Sequence, residues 1–292
     1  MIIMGVTISI VTPSYNQGRY IEETIKSVLS QAGNFFVEYI IADARSTDET
    51  VRIIKKYDEL LKSGRYPIKC KGVELLWWSK KDRGQSDAIN QGFKIAKGDI
   101  VAWINSDDYY LPGTFQLVAS RYKKKPFDLL YGDCAKLYAT SNILATPKPN
   151  PNESYQTLLS STGTFGQPAT FFTKKIIERV GYIDESLHYC MDYDLWIRIF
   201  KIGKVVYLPN TLAVFRIWEN SKTTTSQQKF DDERRLIAKH YGGNILTPRK
   251  IYHFIDKFKW RHYIKNKFPY LYFGMKRVFF HFIDLLKYRT KK

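Results

Sequence analysis

Residues Ile100–Pro112 read IVAWINSDDYYLP, a short apolar run that ends at two adjacent carboxylates, Asp107 and Asp108. Such a run predicts a buried strand, and ligands of open α/β sheets bind beyond the carboxyl ends of their strands. Two neighbouring carboxylates repel each other unless a cation joins them, and Mg²⁺ or Mn²⁺ commonly takes carboxylates together with substrate phosphates. The stretch therefore favours a site for a divalent cation and a diphosphate, although two Asp before a Leu-Pro turn are also typical of a solvated loop.

Strand-like and helix-like segments alternate on both sides of this stretch. Short apolar runs predict strands at residues 6–11, 37–42, 73–77 and 100–104, with helices at residues 18–31, 48–61 and 85–96. Beyond residue 114 the pattern predicts helices at 115–122, 174–180 and 193–202, strands at 127–131 and 169–172, and a loop at 140–154. The alternation predicts an α/β fold with a mostly parallel central sheet covered on both faces.

Length, composition and cysteine usage favour a folded cytoplasmic protein. The chain has 292 residues, 44% hydrophobic and 15% aromatic, which is enough to bury a substantial core and excludes a disordered chain. Its three cysteines, Cys70, Cys134 and Cys190, have neither paired nor metal-type spacing, so free thiols in a reducing compartment are expected. The first residues show no basic leader, and their apolar run is too short to span a bilayer.

Positive charge is concentrated at the C-terminus. Of the net charge of +18, +11 falls within residues 249–292, where thirteen Lys and Arg are interleaved with aromatic residues and stand against two Asp. Helices with basic and aromatic faces suit a membrane interface, and anionic headgroups attract Lys and Arg. We therefore predict a globular domain at residues 1–225 and a helical, basic, aromatic-rich extension at residues 226–292.

This extension predicts a peripheral location at the anionic inner face of the cell membrane. The alternative is a helical pair that packs on the domain with a solvated basic face. Nucleic acid is not an expected partner, because the first 248 residues contain no recognisable nucleic-acid module.

Polar residues follow the first two predicted strands. Thr12, Pro13 and Tyr15 follow the first strand, and Asp43 follows the second. Because the carboxyl ends of parallel strands meet at one sheet edge, these residues are expected near Asp107. Asp43 can accept a hydrogen bond from a base N–H, or it can form a turn that leads to the next helix cap.

A second group of polar residues surrounds a helix start at residues 81–92, KDRGQSDAINQG. Gly84 allows a close backbone approach, and a helix N-terminus attracts phosphate. Arg83 is suited to a diphosphate oxygen, and Asp87 to a ribose hydroxyl or to fixing Arg83. Asp87 and Asn90 can instead form a polar helix face.

The segment at residues 181–200, GYIDESLHYCMDYDLWIRIF, provides a candidate general base. Asp192 and Asp194 precede the apolar face of a helix, so one can point into a cleft while the other caps the helix. A carboxylate so placed can take a proton from an attacking hydroxyl. Capping of the helix by both carboxylates is the alternative.

Taken together, these segments resemble the family 2 inverting glycosyltransferases over residues 5–225. The motifs that carry the resemblance, in the family's order, are VTPSYNQGRYIEETIKSVLSQ, the D-x-x-S-T-D-x-T pattern at residues 43–50, DRGQSDAINQGFKIAKGDIVAWINSDD and MDYDLWIRI. The resemblance implies a GT-A, Rossmann-like, nucleotide-sugar-binding fold and an inverting transferase of the hexosyltransferase type. It also implies a divalent cation, Mn²⁺ or Mg²⁺, and a nucleotide-sugar donor, in particular a UDP-sugar. The implied acceptor is a hydroxyl of a saccharide or lipid-linked molecule in bacterial cell-surface polysaccharide biosynthesis.

The resemblance also assigns roles on the donor side. Thr12 and Pro13 match the strand-end position beside the nucleotide, and Asp43 matches the aspartate that reads the uracil ring. Asp107 matches the carboxylate near the ribose or metal, and Asp108 the one that ligates the metal. The remaining implied donor contacts are Tyr15, Arg83, Asp87 and Arg216.

On the acceptor side, Asp192 matches the catalytic base, although Met191 replaces an acidic residue often found before it. Gln167, Tyr109 and Trp218 are expected to face the acceptor, as is Tyr110. Trp103, Trp196 and the Phe171–Phe172 pair are expected in the core.

Two further departures from the family pattern concern the donor site. Trp218 stands in the histidine position of an F-R-x-H-x-x-S-x-T element, and an indole offers only an N–H donor, so metal affinity is the property in question. Arg45 stands where many relatives have Gly, so it either changes the turn after Asp43 or contacts the nucleotide.

Two other classes of protein make different demands on the sequence. A dinucleotide-using enzyme requires a G-x-G-x-x-G turn after the first strand, which TPSYNQG does not provide. A non-catalytic nucleotide-sugar-binding protein is the alternative that Trp218 and Met191 leave open, and turnover of the donor separates it from an enzyme.

Overall fold

The computed structural model describes residues 5–160, 165–243 and 245. Residues 249–292, the basic and aromatic part of the predicted extension, lie outside the described residues. The residues described up to Gly243 form one compact unit. No helix among the described residues is long and apolar enough to cross a membrane.

The first half of the chain is a parallel β/α array that follows the predicted alternation. Its elements are β1 (Val6–Ser14), α1 (Ile21–Leu29), β2 (Phe35–Asp43), α2 (Thr50–Lys62), β3 (Gly72–Ser79), α3 (Gln85–Ile95) and β4 (Ile100–Trp103). Strands β3, β2, β1 and β4 lie side by side and are all parallel. β1, β2 and β4 are buried along nearly their whole length, as expected of parallel strands covered on both faces.

The second half completes a mixed sheet. Its elements are β5 (Tyr109–Tyr110), α4 (Thr114–Lys124), β6 (Leu129–Tyr138), β7 (Ile143–Ala145), α5 (Tyr155–Ser160), β8 (Thr170–Thr173), α6 (Lys174–Val180), α7 (Met191–Ile202), β9 (Val205–Ile217), α8 (Lys222–Thr225) and α9 (Gln227–His240). The strand order is β3-β2-β1-β4-β8-β6-β9-β5, with β7 pairing with β6. β8 runs antiparallel to both β4 and β6, whereas β6 and β9 are parallel.

Five elements of the second half have no counterpart in the sequence predictions: β5, β7, α5, β9 and α8. Strand β7 lies inside the predicted loop, and neither helix α5 nor strand β9 was predicted. In β9 the exposed residues Pro209 and Asn210 interrupt the apolar pattern, and the pairing of β9 with β6 shifts register beside them. A strand that contains a bulge loses the regular alternation on which sequence recognition depends.

The aromatic core lies where the two halves of the sheet meet. Trp103 of β4 stacks on Phe172 of β8 with ring centroids 5.8 Å apart, and Trp196 and Phe171 are also buried. The prediction that these residues form core is therefore confirmed. Tyr110 is 2% exposed and packs on Phe171, so the prediction that it faces carbohydrate is wrong.

Candidate active site

A cavity of about 1200 Å³ lies at the carboxyl ends of β1 and β4. Its walls come from the ends of these strands, the start of α3, the middle of β6, the start of α7 and the segment after β9. Seven of the predicted site residues line it: Pro13, Tyr15, Asp107, Gln167, Asp192, Arg216 and Trp218. The fold therefore brings together side chains from both halves of the chain.

The β1 end of the cavity is a backbone surface followed by an aromatic ring. Pro13 and Tyr15 line it, and Tyr15 is 61% exposed. Thr12 is fully buried, and its hydroxyl lies 3.1 Å from the Tyr39 hydroxyl. The TPSY segment is therefore open to a ligand from Pro13 onward, and Thr12 is not.

Asp43 lies at the end of β2 in a hydrogen-bonded turn. Its Oδ2 accepts the Ser46 N–H at 3.0 Å and the Ser79 hydroxyl, and its Oδ1 accepts the Ser46 hydroxyl. Asp43 is fully buried, whereas the next residue, Ala44, lines the cavity. The geometry is that of the turn alternative, and recognition of a base by Asp43 stays a prediction.

Arg83 and Asp87 bind each other beside the cavity. Arg83 donates its backbone N–H to Asp87 at 3.0 Å and a guanidinium N–H at 2.9 Å, and it also pairs with Glu185 at 2.6 Å. The hydrogen bond from Arg83 lowers the pKa of Asp87. The structure thus shows Asp87 fixing Arg83, and the residues of this segment that line the cavity wall include Gly84, which precedes α3, and Gln85 and Ala88 of α3.

The two adjacent carboxylates after β4 point to different partners. Asp107 lines the cavity, and its Oδ2 accepts the Trp218 Nε1–H at 2.9 Å. Asp108 is 1% exposed, and its Oδ1 accepts the backbone N–H of Arg216 at 2.8 Å. Burial, together with the charge of Asp107, raises the pKa of Asp108 well above its usual range. Asp108 therefore ties the end of β4 to β9, while Asp107 faces the ligand space.

These carboxylates decide whether the residues fit a divalent cation. Within residues 5–160, 165–243 and 245, no group of three His, Cys, Asp or Glu side chains is placed to hold a metal ion. A hard cation such as Mg²⁺ is commonly held by one or two carboxylates, with water and substrate phosphates completing its coordination. Asp107 fits that pattern, because its carboxylate reaches the cavity and Trp218 occupies only one of its oxygens. Trp218 offers an N–H hydrogen-bond donor and no atom that can coordinate a metal ion.

Arg216 is held by protein groups. Its guanidinium pairs with Glu23, its Nε–H donates to the Asp107 carbonyl at 2.9 Å, and it lies 4.8 Å and 5.5 Å from the ring centroids of Tyr20 and Tyr109. Arg216 is 9% exposed. The Tyr109 ring therefore contacts the Arg216 guanidinium and does not line the cavity. Lys222 also lines the cavity; it donates to the His188 carbonyl and lies 3.5 Å from Gln85 Oε1.

The candidate base and its neighbour have separate environments at the start of α7. Asp192 lines the cavity, and its Oδ1 accepts the Tyr193 N–H at 2.8 Å. Burial raises the pKa of Asp192, and the charge of Arg234 opposes that rise. Asp194 pairs with Arg198 at 2.7 Å and accepts the Tyr241 hydroxyl at 2.8 Å. Asp192 alone of the two is therefore positioned to meet a ligand.

The far end of the cavity contains residues that sequence reasoning did not identify. Gln167, which was predicted there, donates its Nε2–H to the Trp103 carbonyl at 2.8 Å. Three basic side chains also line this part of the wall: Lys136, Lys148 and Arg234. Lys148 pairs with the fully buried Asp133. Arg234 and Phe230 come from α9, which lies inside the region predicted to be a separate extension, so no motif indicated them.

Solved structures of nucleotide-sugar enzymes have the same architecture. S. aureus TarS residues 1–349 in complex with UDP-GlcNAc matches with a TM-score of 0.62 and 18% identity over 90% of this chain and 76% of that one. The mannosyltransferase PcManGT of Pyrobaculum calidifontis, in complex with GDP-Man and Mn²⁺, matches with a TM-score of 0.59 and 15% identity over 82% of this chain and 65% of that one. At these identities the likeness shows the fold alone, and that fold is GT-A, as the resemblance implied.

Sequence comparison places the chain within a family. The family model Glycosyl transferase family 2 matches residues 9–181, more than half of the chain. An uncharacterized glycosyltransferase of Rickettsia typhi is 25% identical over 237 residues, which cover 78% of this chain and 70% of the relative. The hyaluronan synthase of Pasteurella multocida is 24% identical over 263 residues, 89% of this chain but 26% of the synthase. The chain belongs to glycosyltransferase family 2, and the prediction of a glycosyltransferase is confirmed.

Proposed function

We propose that the protein is an inverting transferase that moves a sugar from a nucleotide-sugar donor, in particular a UDP-sugar, to a hydroxyl of a saccharide or lipid-linked acceptor. The observation that carries this proposal is the cavity that contains Asp107 and Asp192 and is lined by Pro13 and Tyr15 at its other end. One carboxylate thus meets a leaving diphosphate and the other an attacking hydroxyl. Ala44 and Gly84 on this wall have no bulky side chain, so a flat nucleoside ring can approach the wall closely.

In this mechanism Asp192 takes the proton of the acceptor hydroxyl. The acceptor oxygen forms a bond to the anomeric carbon as the bond from that carbon to the phosphate oxygen breaks, and the nucleoside diphosphate leaves with the bonding electrons. Attack from the face opposite the leaving group inverts the anomeric configuration. The raised pKa of Asp192 makes its ionised form a stronger proton acceptor than an exposed carboxylate.

The leaving diphosphate needs compensation for its growing charge. A divalent cation, Mn²⁺ or Mg²⁺, bound with Asp107 as its protein ligand would supply Lewis-acid stabilisation at that point. Lys222 lies on the same wall and offers a second positive charge. We assign the ligand role to Asp107 rather than Asp108, because the Asp108 carboxylate is buried against the Arg216 backbone.

The biological setting that we propose is bacterial cell-surface polysaccharide biosynthesis at the inner face of the cell membrane. The membrane location is supported by the concentration of basic and aromatic residues at 249–292. Full-length protein is expected to bind vesicles that contain anionic lipid at low salt and to dissociate at high salt, because salt screens headgroup attraction. Failure to bind such vesicles contradicts the membrane location but does not bear on the proposed sugar transfer.

Donor screening tests the proposed function directly. A matching nucleotide sugar binds only the folded state, so it raises the apparent melting temperature, more so with Mn²⁺. UDP-, GDP- and dTDP-sugars are compared with and without Mn²⁺, and each binder is then tested for transfer to saccharide acceptors. Binding without turnover on any acceptor favours the alternative, a non-catalytic nucleotide-sugar-binding protein. Absence of binding for every nucleotide sugar contradicts both.

A further inference from the structure

The loop that enters α7 is held by one carboxylate from a distant helix. Glu233 of α9 accepts three consecutive backbone N–H groups, from His188 at 3.0 Å, Tyr189 at 2.7 Å and Cys190 at 2.6 Å. Hydrogen bonds to an ionised carboxylate are among the strongest in proteins. Together they fix the backbone direction of the three residues before α7.

Further contacts from α8 and α9 hold the same loop. The Tyr189 ring packs edge-on against Phe230 with centroids 5.2 Å apart, and the Cys190 Sγ–H donates to the Phe230 carbonyl at 3.3 Å. Lys222 donates to the His188 carbonyl. The loop is therefore an ordered part of the cavity wall, with Glu233 at its centre.

The position of this loop sets the position of the candidate base. Cys190 is the residue before α7, no side chain caps that helix at this position, and Asp192 follows two residues later. The N–H groups of the loop are bound by Glu233 instead of by a local capping side chain. Any rotation of the loop therefore changes the direction in which Asp192 enters the cavity.

We propose that Glu233 is a positioning residue for Asp192: by binding the N–H groups of residues 188–190 it aligns the start of α7 so that Asp192 faces the acceptor hydroxyl. This inference rests on the proposed role of Asp192 as base. Glu233 lies beyond residues 9–181, the part of the chain that the family model matches, and within the region that the sequence pattern assigned to the extension. Helix α9 is accordingly part of the catalytic unit.

Three variants separate this role from a general effect on folding. Glu233→Ala removes all acceptors, Glu233→Gln keeps a single acceptor oxygen, and Asp232→Asn is the matched control. Asp232 is the adjacent carboxylate on α9, but it is exposed and pairs with Arg235. Because misplacement of a catalytic group by about 1 Å costs on the order of 100-fold, we expect kcat to fall about 10- to 100-fold in Glu233→Ala and less in Glu233→Gln. Donor KM is expected to stay within about twofold, and Asp232→Asn to match the wild type.

Two readouts do not depend on turnover. Hydrogen exchange of the amides of residues 188–190 is expected to accelerate in Glu233→Ala and not in Asp232→Asn. The pKa of Asp192, measured by carboxyl NMR titration, is expected to fall in Glu233→Ala, because the negative charge of Glu233 raises that pKa. The other charged or titratable groups near Asp192 are Arg234, Lys222 and Cys190.

The outcomes distinguish this proposal from the proposed function. Unchanged exchange at residues 188–190 in Glu233→Ala overturns the clamp. Faster exchange with unchanged kcat overturns the positioning role. If the wild type transfers no sugar, the proposed function fails. Hydrogen exchange at residues 188–190 and the pKa of Asp192 then still decide whether Glu233 orders the loop and the Asp192 carboxylate. An unchanged pKa of Asp192 in Glu233→Ala counts against that ordering role.

Discussion

The two walls of the cavity are built in different ways. The donor wall consists of strand ends and a helix start from the parallel array, where Asp43 is held by Ser46, three residues away, and by Ser79 on the neighbouring strand β3. The base wall is a loop and a helix start held by Glu233, which lies 43 to 45 residues further along the chain. The donor wall is thus a consequence of regular secondary structure, whereas the base wall depends on specific long-range hydrogen bonds.

Because the two walls are built differently, we expect substitutions in them to affect different steps of the reaction. A wall formed by parallel strand ends needs few specific side chains to keep its shape, so substitutions there are expected to change donor binding. The base wall keeps its shape through charged contacts, so substitutions there are expected to change the rate of transfer. Each prediction below tests whether binding and rate separate in this way.

The largest expected effect is on the base. Asp192→Asn keeps the size of the side chain and its acceptor oxygen toward the Tyr193 N–H but removes its basicity, so the transfer rate is expected to fall by about 10² to 10⁴. Donor affinity, measured by calorimetry, is expected to stay near the wild-type value. Asp194→Asn is the control, because Asp194 pairs with Arg198 outside the cavity wall. A product with retained anomeric configuration would show that the proposed mechanism is wrong.

Sequence patterns identified the donor wall better than the base wall for a physical reason. Alternating strands and helices were recognisable over residues 6–104, and parallel topology placed their carboxyl ends together. The same reasoning missed β9, whose pattern is broken at Pro209, and it placed Tyr109 and Tyr110 on the acceptor side although Arg216 and the core occupy them. It could not find Glu233, because a side chain that binds backbone N–H groups of a distant loop leaves no periodicity or motif.

The second prediction concerns Asp107, at the point where the two walls meet. If Asp107 is the protein ligand of the cation, Asp107→Ala is expected to lower Mn²⁺-dependent transfer by on the order of 10² or more, because it removes stabilisation of the leaving diphosphate. It is also expected to abolish the effect of Mn²⁺ on donor binding, which Asp192→Asn preserves.

Asp108→Asn is the matched comparison for Asp107. It keeps an oxygen for the Arg216 N–H and the size of the side chain, so it is expected to retain the Mn²⁺ response. The opposite ranking, with Mn²⁺ dependence lost in Asp108→Asn and kept in Asp107→Ala, would return the ligand role to Asp108. Full wild-type activity in excess EDTA would contradict a metal role for either residue.

The third prediction is a pH dependence that belongs to the base wall alone. Burial raises the pKa of Asp192, so the acid limb of kcat/KM is expected above the ordinary Asp value of about 3.9. The base is active only when ionised, so the rate is lost as pH falls through this pKa, by about tenfold for each further pH unit. Burial also raises the pKa of Asp107, so donor affinity is measured without Mn²⁺, where it is expected to lack this limb. The residual rate of Asp192→Asn is expected to lack the limb that Asp192 causes. A limb that persists in Asp192→Asn would assign the titration to another group.

The smallest effect is expected at Trp218, which follows β9 and donates a hydrogen bond to Asp107. Trp218→His replaces an N–H donor with a side chain that can ligate a metal, and Trp218→Phe removes the donor without adding a ligand. If the indole competes with the cation for Asp107, both variants are expected to lower the Mn²⁺ concentration for half-maximal donor binding, by about tenfold or less, and His more than Phe. Both rings retain contact with Tyr20, which packs 5.4 Å from Trp218, so loss of donor binding at saturating Mn²⁺ would indicate damage to the cavity wall instead. An unchanged Mn²⁺ requirement in both variants would mean that the Trp218–Asp107 hydrogen bond does not oppose cation binding.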